Sequence, residues 1–111
     1  MMDVAVPETK SKVSEVLTSQ LRLGKASMAS VARAMSISEA TLRRRLGQEG
    51  TSFSRVVDEV RFALACRYLR DPTLEVSEVA MLLGFRDTAS FIEVFARWSG
   101  GVSPADFRAA G

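Results

Sequence analysis

Histidine is absent from this 111-residue chain, and cysteine occurs once, at Cys66. The first absence removes histidine-based catalysis, and the two together remove the Cys/His zinc sites. A lone thiol excludes a disulfide within the chain and suits a reducing cytosol. No apolar run approaches the roughly 18 residues of a membrane span, and the opening "MMDVAVPETK" lacks the shape of a secretory signal. The period-two alternation of half-buried strands is missing as well. Asp58 and Glu59 stand side by side, but with no histidine or metal motif near them they read as surface charge. These absences leave an expectation of a cytoplasmic, soluble chain with no metal, no cofactor and no catalytic role.

What is present is apolar content of 47% and charged content of 25%, enough for one domain or two very small ones. Fifteen basic against thirteen acidic residues leave a net charge of +2, too mild by itself to argue for nucleic acid. The distribution is more telling. Residues 1–72 hold twelve basic and eight acidic side chains, and residues 73–111 hold three and five. The first part is therefore basic and the last part acidic.

Apolar residues recur with helical spacing throughout. Val13, Val16, Leu17 and Leu21 mark a helix over about residues 8–23, with Gly24 as its stop. Ser27 is placed to cap a short helix carrying Met28, Val31, Ala32 and Met35, and Ser38 to cap one carrying Leu42 and Leu46. Gly50 stops the latter. A long helix over about 52–70 follows, with Phe53, Val56, Val57, Val60, Leu64, Ala65 and Leu69 as its buried positions. "RDPT" ends it, because proline cannot continue the ladder. Val76, Val79, Ala80 and Leu83 mark a short helix over about 75–83 that stops at Gly84. Asp87 opens a helix with Phe91 and Phe95 on its seam. Ser103, Pro104 and Asp106 stand at the cap, first and capping-box positions of the last helix.

The seven helices contain a repeat. "MASVARAMSI" matches "VSEVAMLLGF" at an offset of 48, pairing Val31 with Val79 and Ala32 with Ala80; Leu42/Phe91 and Leu46/Phe95 follow at an offset of 49. Each copy is a short helix, a tight turn and a second helix, the turn being signalled by Ser36 in one and Gly84 in the other. In "SISEATLRRRL" the leucines lie one turn apart, so at about 100° per residue Arg44 points away from their seam and Arg43 and Arg45 flank it. A second helix bearing such a ridge suits the major groove of DNA, where arginine can bond a guanine edge or neutralise a phosphate.

The stretches "VARAMSISEATLRRRL", "GTSF", "DPTLEVSEVAMLLGF", "ASF" and "SPADFR", with Arg61, Ala65 and Leu69 on the central helix, resemble the DNA-binding domain of the AraC/XylS family of bacterial transcription regulators. The resemblance runs from about Ser27 to Arg108. It implies an all-α fold of two helix-turn-helix subdomains joined by a linker helix. Residues 1–26 would be a linker and first helix, 27–50 the first helix-turn-helix, 51–72 the linker helix, and 73–111 the second helix-turn-helix with the C-terminal helix. Recognition helices 38–49 and 87–98 would enter successive major-groove segments of double-stranded DNA, and activation would proceed by contact with RNA polymerase. Carried over by position, Ala40, Arg43 and Arg44 face bases in the first helix, and Thr88, Ala89, Ser90, Ile92 and Glu93 do so in the second. Ser38, Thr41, Arg45, Gln48, Arg61 and Arg97 lie toward the backbone. Family members also carry an effector-binding or dimerisation domain, so the chain reads as a fragment of a longer, nucleoid-associated regulator, with a stand-alone protein as the alternative.

Three positions and one added residue depart from the family pattern. Glu93 and Ala96 stand where arginine and lysine are common, Ser36 stands in place of a turn glycine, and "WSGGVSP" carries one extra residue. By the repeat Glu93 matches Arg44, so the most outward side chain has reversed its charge. A carboxylate near phosphates weakens affinity, and this predicts an asymmetric reader in which the first subdomain dominates. The remaining features have plain readings. Cys66 is a small buried hydrophobe or a redox sensor, Arg61 a packing residue or a phosphate clamp, and Trp98 and Phe107 core or a recognition patch. Met28, Met35 and Met81 read as core. Lys10, Lys12, Arg22 and Lys25 form a solvated face or touch flanking phosphates. Two rivals stay open: a helix-turn-helix scaffold that binds protein rather than DNA, which the acidic second half favours, and an enzyme whose catalytic part lies elsewhere.

Overall fold

Short helices of the predicted lengths fall below the roughly 12–15 residues that hold alone in water, so caps and burial must maintain them. The computed structural model of the chain describes residues 8–22 and 26–111. Among these, seven helices form: α1 (Glu8–Arg22), α2 (Met28–Ala34), α3 (Glu39–Gln48), α4 (Phe53–Leu69), α5 (Val76–Leu82), α6 (Thr88–Ser99) and α7 (Pro104–Ala110). Each predicted helix is present to within two residues at either end. Gly24, Lys25 and the Arg22 side chain lie outside what is described.

The caps expected at Ser27, Ser38, Asp87 and Ser103 form, and Ser52 adds one at the start of α4. Side chains of Ser27, Ser38, Ser52, Asp87 and Ser103 accept from the N–H groups of Ser30, Thr41, Arg55, Ser90 and Asp106 at 2.7–3.3 Å. Each satisfies one donor that the first turn leaves orphaned. At α5 the roles reverse, and the Glu75 N–H donates to the Glu78 carboxylate at 2.8 Å.

Burial supplies the rest. Val13 and Leu17 of α1, Val31 of α2, Leu42 and Leu46 of α3, and Val56 of α4 are fully buried. So are Leu69, Val79, Leu83, Phe91 and Phe95. α4 packs against α1, α5, α6 and α7, and α1 in turn packs against α2 and α3, so the first half of the repeat is joined to α4 through α1. Phe95 anchors an aromatic cluster, with ring centroids 5.6 Å from Phe62, 5.8 Å from Phe91 and 5.6 Å from Phe107. Trp98 stacks at 6.0 Å on Phe62 and 6.1 Å on Phe85, so Trp98 and Phe107 are packing residues.

Two long-range contacts lock the ends. Glu49, just past α3, accepts the N–H groups of Thr9 and Lys10 at 3.0 and 2.9 Å and thereby caps α1 from 40 residues away. At the other end Arg108 of α7 donates from Nε to the Leu69 carbonyl at 2.8 Å and from Nη2 to that of Asp71 at 3.3 Å, satisfying carbonyls at the end of α4. Between α6 and α7 the chain turns through Gly100 and Gly101, at φ +77 and +111.

Met81 corrects the sequence reading. It was expected in the core and is 72% exposed. In a helix whose seam is Val79, Ala80 and Leu83, a residue two past Val79 and two before Leu83 lies about 200° from both. Met28 and Met35 do pack against the core.

Candidate nucleic-acid interface

The two helix pairs, α2–α3 and α5–α6, are built on the same bonds. Ile37 N–H donates to the Ala32 carbonyl at 3.0 Å, and Phe85 N–H donates to that of Ala80 at 3.0 Å. Ser36 N–H reaches Arg33 and Gly84 N–H reaches Met81, both at 3.0 Å. Both turns pass through the left-handed region, Ser36 at φ +60 and Gly84 at φ +82. Ala32 and Ala80 are each 2% exposed, so no side chain holds the paired helices apart there. In each copy the second helix is then seated by two large side chains, Leu42 and Leu46 or Phe91 and Phe95, all at 0% exposure.

That seating determines what faces outward. On α3, Ala40, Arg43, Arg44, Arg45 and Gln48 are exposed, as is Ser38 at the cap. Arg43 leans on α2 through a 3.6 Å contact from Nη2 to the Met28 sulfur while staying exposed. Arg45 and Gln48 border a groove between α1 and α3 that also includes Lys12 and Glu15. Thr41 is half-buried and accepts the Ser38 hydroxyl at 2.9 Å. On α6, Ala89, Ile92, Glu93 and Arg97 are exposed, and Thr88 and Ser90 are half-buried. Ser90 N–H is held by Asp87, whose pKa is lowered by that bond.

Arg61 is not turned outward. Its guanidinium lies 4.9 Å from the centroid of Phe85, and its Nη2 and the Leu21 carbonyl are each 3.8 Å from where a Cβ on Gly84 would stand. Burial pulls its pKa down, against the attraction of Asp58. The structure places Arg61 at a joint of α1, α4 and the second turn, where its guanidinium makes a cation–π contact with Phe85. Lys10 of the expected basic face is paired with Glu59 at 2.8 Å, while Lys12 is exposed. Cys66 is half-buried, and burial pushes its thiol up, against the nearby Arg70. Such a thiol is a poor sensor.

Pattern reading missed two features. Arg86 is exposed beside the first turn of α6, close enough to Asp87 to lower its pKa, and its place just before a cap was the available signal. The Glu49 clasp had no local signal at all.

Two helix-turn-helix units, one packed on α1 and the other on the long α4 that α1 lies against, define the class. The family profile described as "Helix-turn-helix domain" matches residues 31–110, and the chain belongs to that family, in its AraC-type branch. The Pseudomonas aeruginosa ornithine utilization regulator is 42% identical over 79 residues, covering 71% of this chain and 23% of the relative. The crystal structure of the transcriptional regulator CdpR from Pseudomonas aeruginosa superposes with a TM-score of 0.80 at 41% identity, over 91% of this chain and 31% of that one. The DNA-binding domain of the global transcriptional factor AdpA, solved in complex with a target DNA, superposes at 0.72 with 27% identity, over 92% of this chain and 91% of that one. The chain spans about a quarter of the length of the first curated relatives it matches.

Proposed function

We propose that this chain is a sequence-specific reader of double-stranded DNA in a transcription regulator, with α3 and α6 in adjacent major-groove segments and the first unit dominant. The observation that carries the reading is the exposed Arg43–Arg45 ridge on a helix locked from behind by two fully buried leucines. Arginine there meets guanine edges or phosphates, and Ser38, Thr41, Arg45, Gln48 and Arg97 border the backbone. The longest dimension, 44 Å, suffices to span the roughly 34 Å between groove segments one turn apart. The AdpA complex supports DNA as the partner. The role is binding rather than catalysis, within a longer cytoplasmic regulator that contacts RNA polymerase.

The asymmetry follows from charge. α3 offers three arginines in succession where α6 offers Glu93 at the matching outward position. Binding of a selected duplex tests this. Arg44→Ala is expected to remove most of the specific binding, a loss of about 1–3 kcal/mol for one good base contact. Glu93→Ala is expected to bind equally or more tightly. Loss of binding in Glu93→Ala would refute the asymmetry.

The rival, a protein-docking scaffold, draws on Met81, which is 72% exposed beside the acidic Glu78. No affinity for duplex DNA at low salt would favour it.

A further inference from the structure

Glu93 projects from the middle of α6, exposed, between the two fully buried seam residues Phe91 and Phe95. Among the described residues the one ion pair within 4.0 Å joins Lys10 to Glu59, so the Glu93 carboxylate is not tied to Arg97 one turn on. Ala89, one turn before Glu93, is exposed, and the adjacent Ile92 is 41% exposed. The middle of the second reading helix therefore offers a carboxylate acceptor and methyl groups where the middle of the first offers guanidinium donors.

We infer that Glu93 selects a cytosine in the DNA segment facing α6, with Ile92 and Ala89 favouring a thymine methyl beside it. The inference rests on the DNA-reading function proposed above. In the major groove, guanine shows two acceptors and thymine an acceptor beside a methyl group, and both repel or ignore a carboxylate. Adenine shows a donor, but its N7 acceptor stands next to it and opposes the second carboxylate oxygen. Cytosine offers an amino donor with no acceptor on its own base in the groove, the nearest being O6 of the paired guanine, so a carboxylate can take one N4–H bond there. Because the carboxylate also repels phosphates, it lowers affinity for every duplex and least for the one containing that cytosine. Glu93 is thus a specificity device that works by rejecting wrong sequences, and removing it raises affinity while erasing choice.

Selection of duplexes from a random pool by the 111-residue chain, beside Glu93→Ala and Glu93→Gln, tests this. The wild-type pool is expected to contain two specified segments about one turn apart, with cytosine favoured about tenfold at one position of the second. Glu93→Ala should lose preference at that position alone, and Glu93→Gln should move it to adenine, because an amide pairs bidentately with adenine. The first segment should be unchanged in both variants. A second segment with the same base in wild type and Glu93→Ala overturns the inference. So does enrichment of the first segment alone, which leaves DNA reading by α3 standing. No enrichment anywhere removes the underlying function and the inference with it.

Discussion

Ser36 holds φ +60, the one described residue other than glycine in the left-handed region, at the position where the second copy of the repeat has Gly84. A side chain there crowds the backbone, while glycine would lose more freedom on folding, so the two effects partly cancel. Ser36→Gly is expected to stabilise the chain by about 0.5–1 kcal/mol, raising the melting temperature by a few degrees in a thermal unfolding scan. An unchanged or lower melting temperature would show that the serine is not strained. The position could be named from the sequence because the repeat aligned Ser36 with a glycine. Met81 could not be assigned in the same way. α5 has seven residues, of which five are apolar, and a pattern that short and that apolar does not single out a face.

Among the helices, α1 depends most on a distant residue. Its first turn gives two N–H groups to Glu49, whose carboxylate meets opposed influences. Burial raises its pKa, the N–H bonds of Lys10 and Thr9 lower it, and the net effect is downward. A depressed folded-state pKa means that the carboxylate contributes stability at and above the ordinary carboxylate range. That contribution is lost as the pH falls through the depressed value. Glu49→Gln is expected to lower stability by about 1 kcal/mol near neutral pH, the size of a helix cap, and the gap from wild type should close in acid. Melting temperatures of both proteins across pH 3–7 check this (about four units spanning the carboxylate range), and a gap independent of pH would refute it. Capping serines were legible in the sequence because a cap binds three residues ahead. The Glu49 clasp and the Arg108 closure of α4 were not, because nothing in a local pattern records a partner some 40 residues away. Which side chains α3 and α6 turn outward was legible for the same local reason. The contact of Arg61 with Phe85 was not legible, because only tertiary packing brings α4 against the second turn.

At the scale of the molecule, 44 × 33 × 21 Å, the charge is unevenly divided. The basic excess lies with α1–α4 and the acidic excess with α5–α7. If several phosphates are neutralised, log affinity should fall with log salt at about −0.9 per phosphate. Titration of the wild type and of Arg45→Ala is expected to give a slope shallower by about one in the variant. A flat response in both would argue for a protein partner.

A body with its positive and negative ends on separate lobes is an electric dipole. In the field of a polyanion it turns before it touches, so its landings are ordered: the cationic lobe arrives first and drags the other into range. On the reading proposed above, the second lobe inspects only the stretch its companion has already gripped.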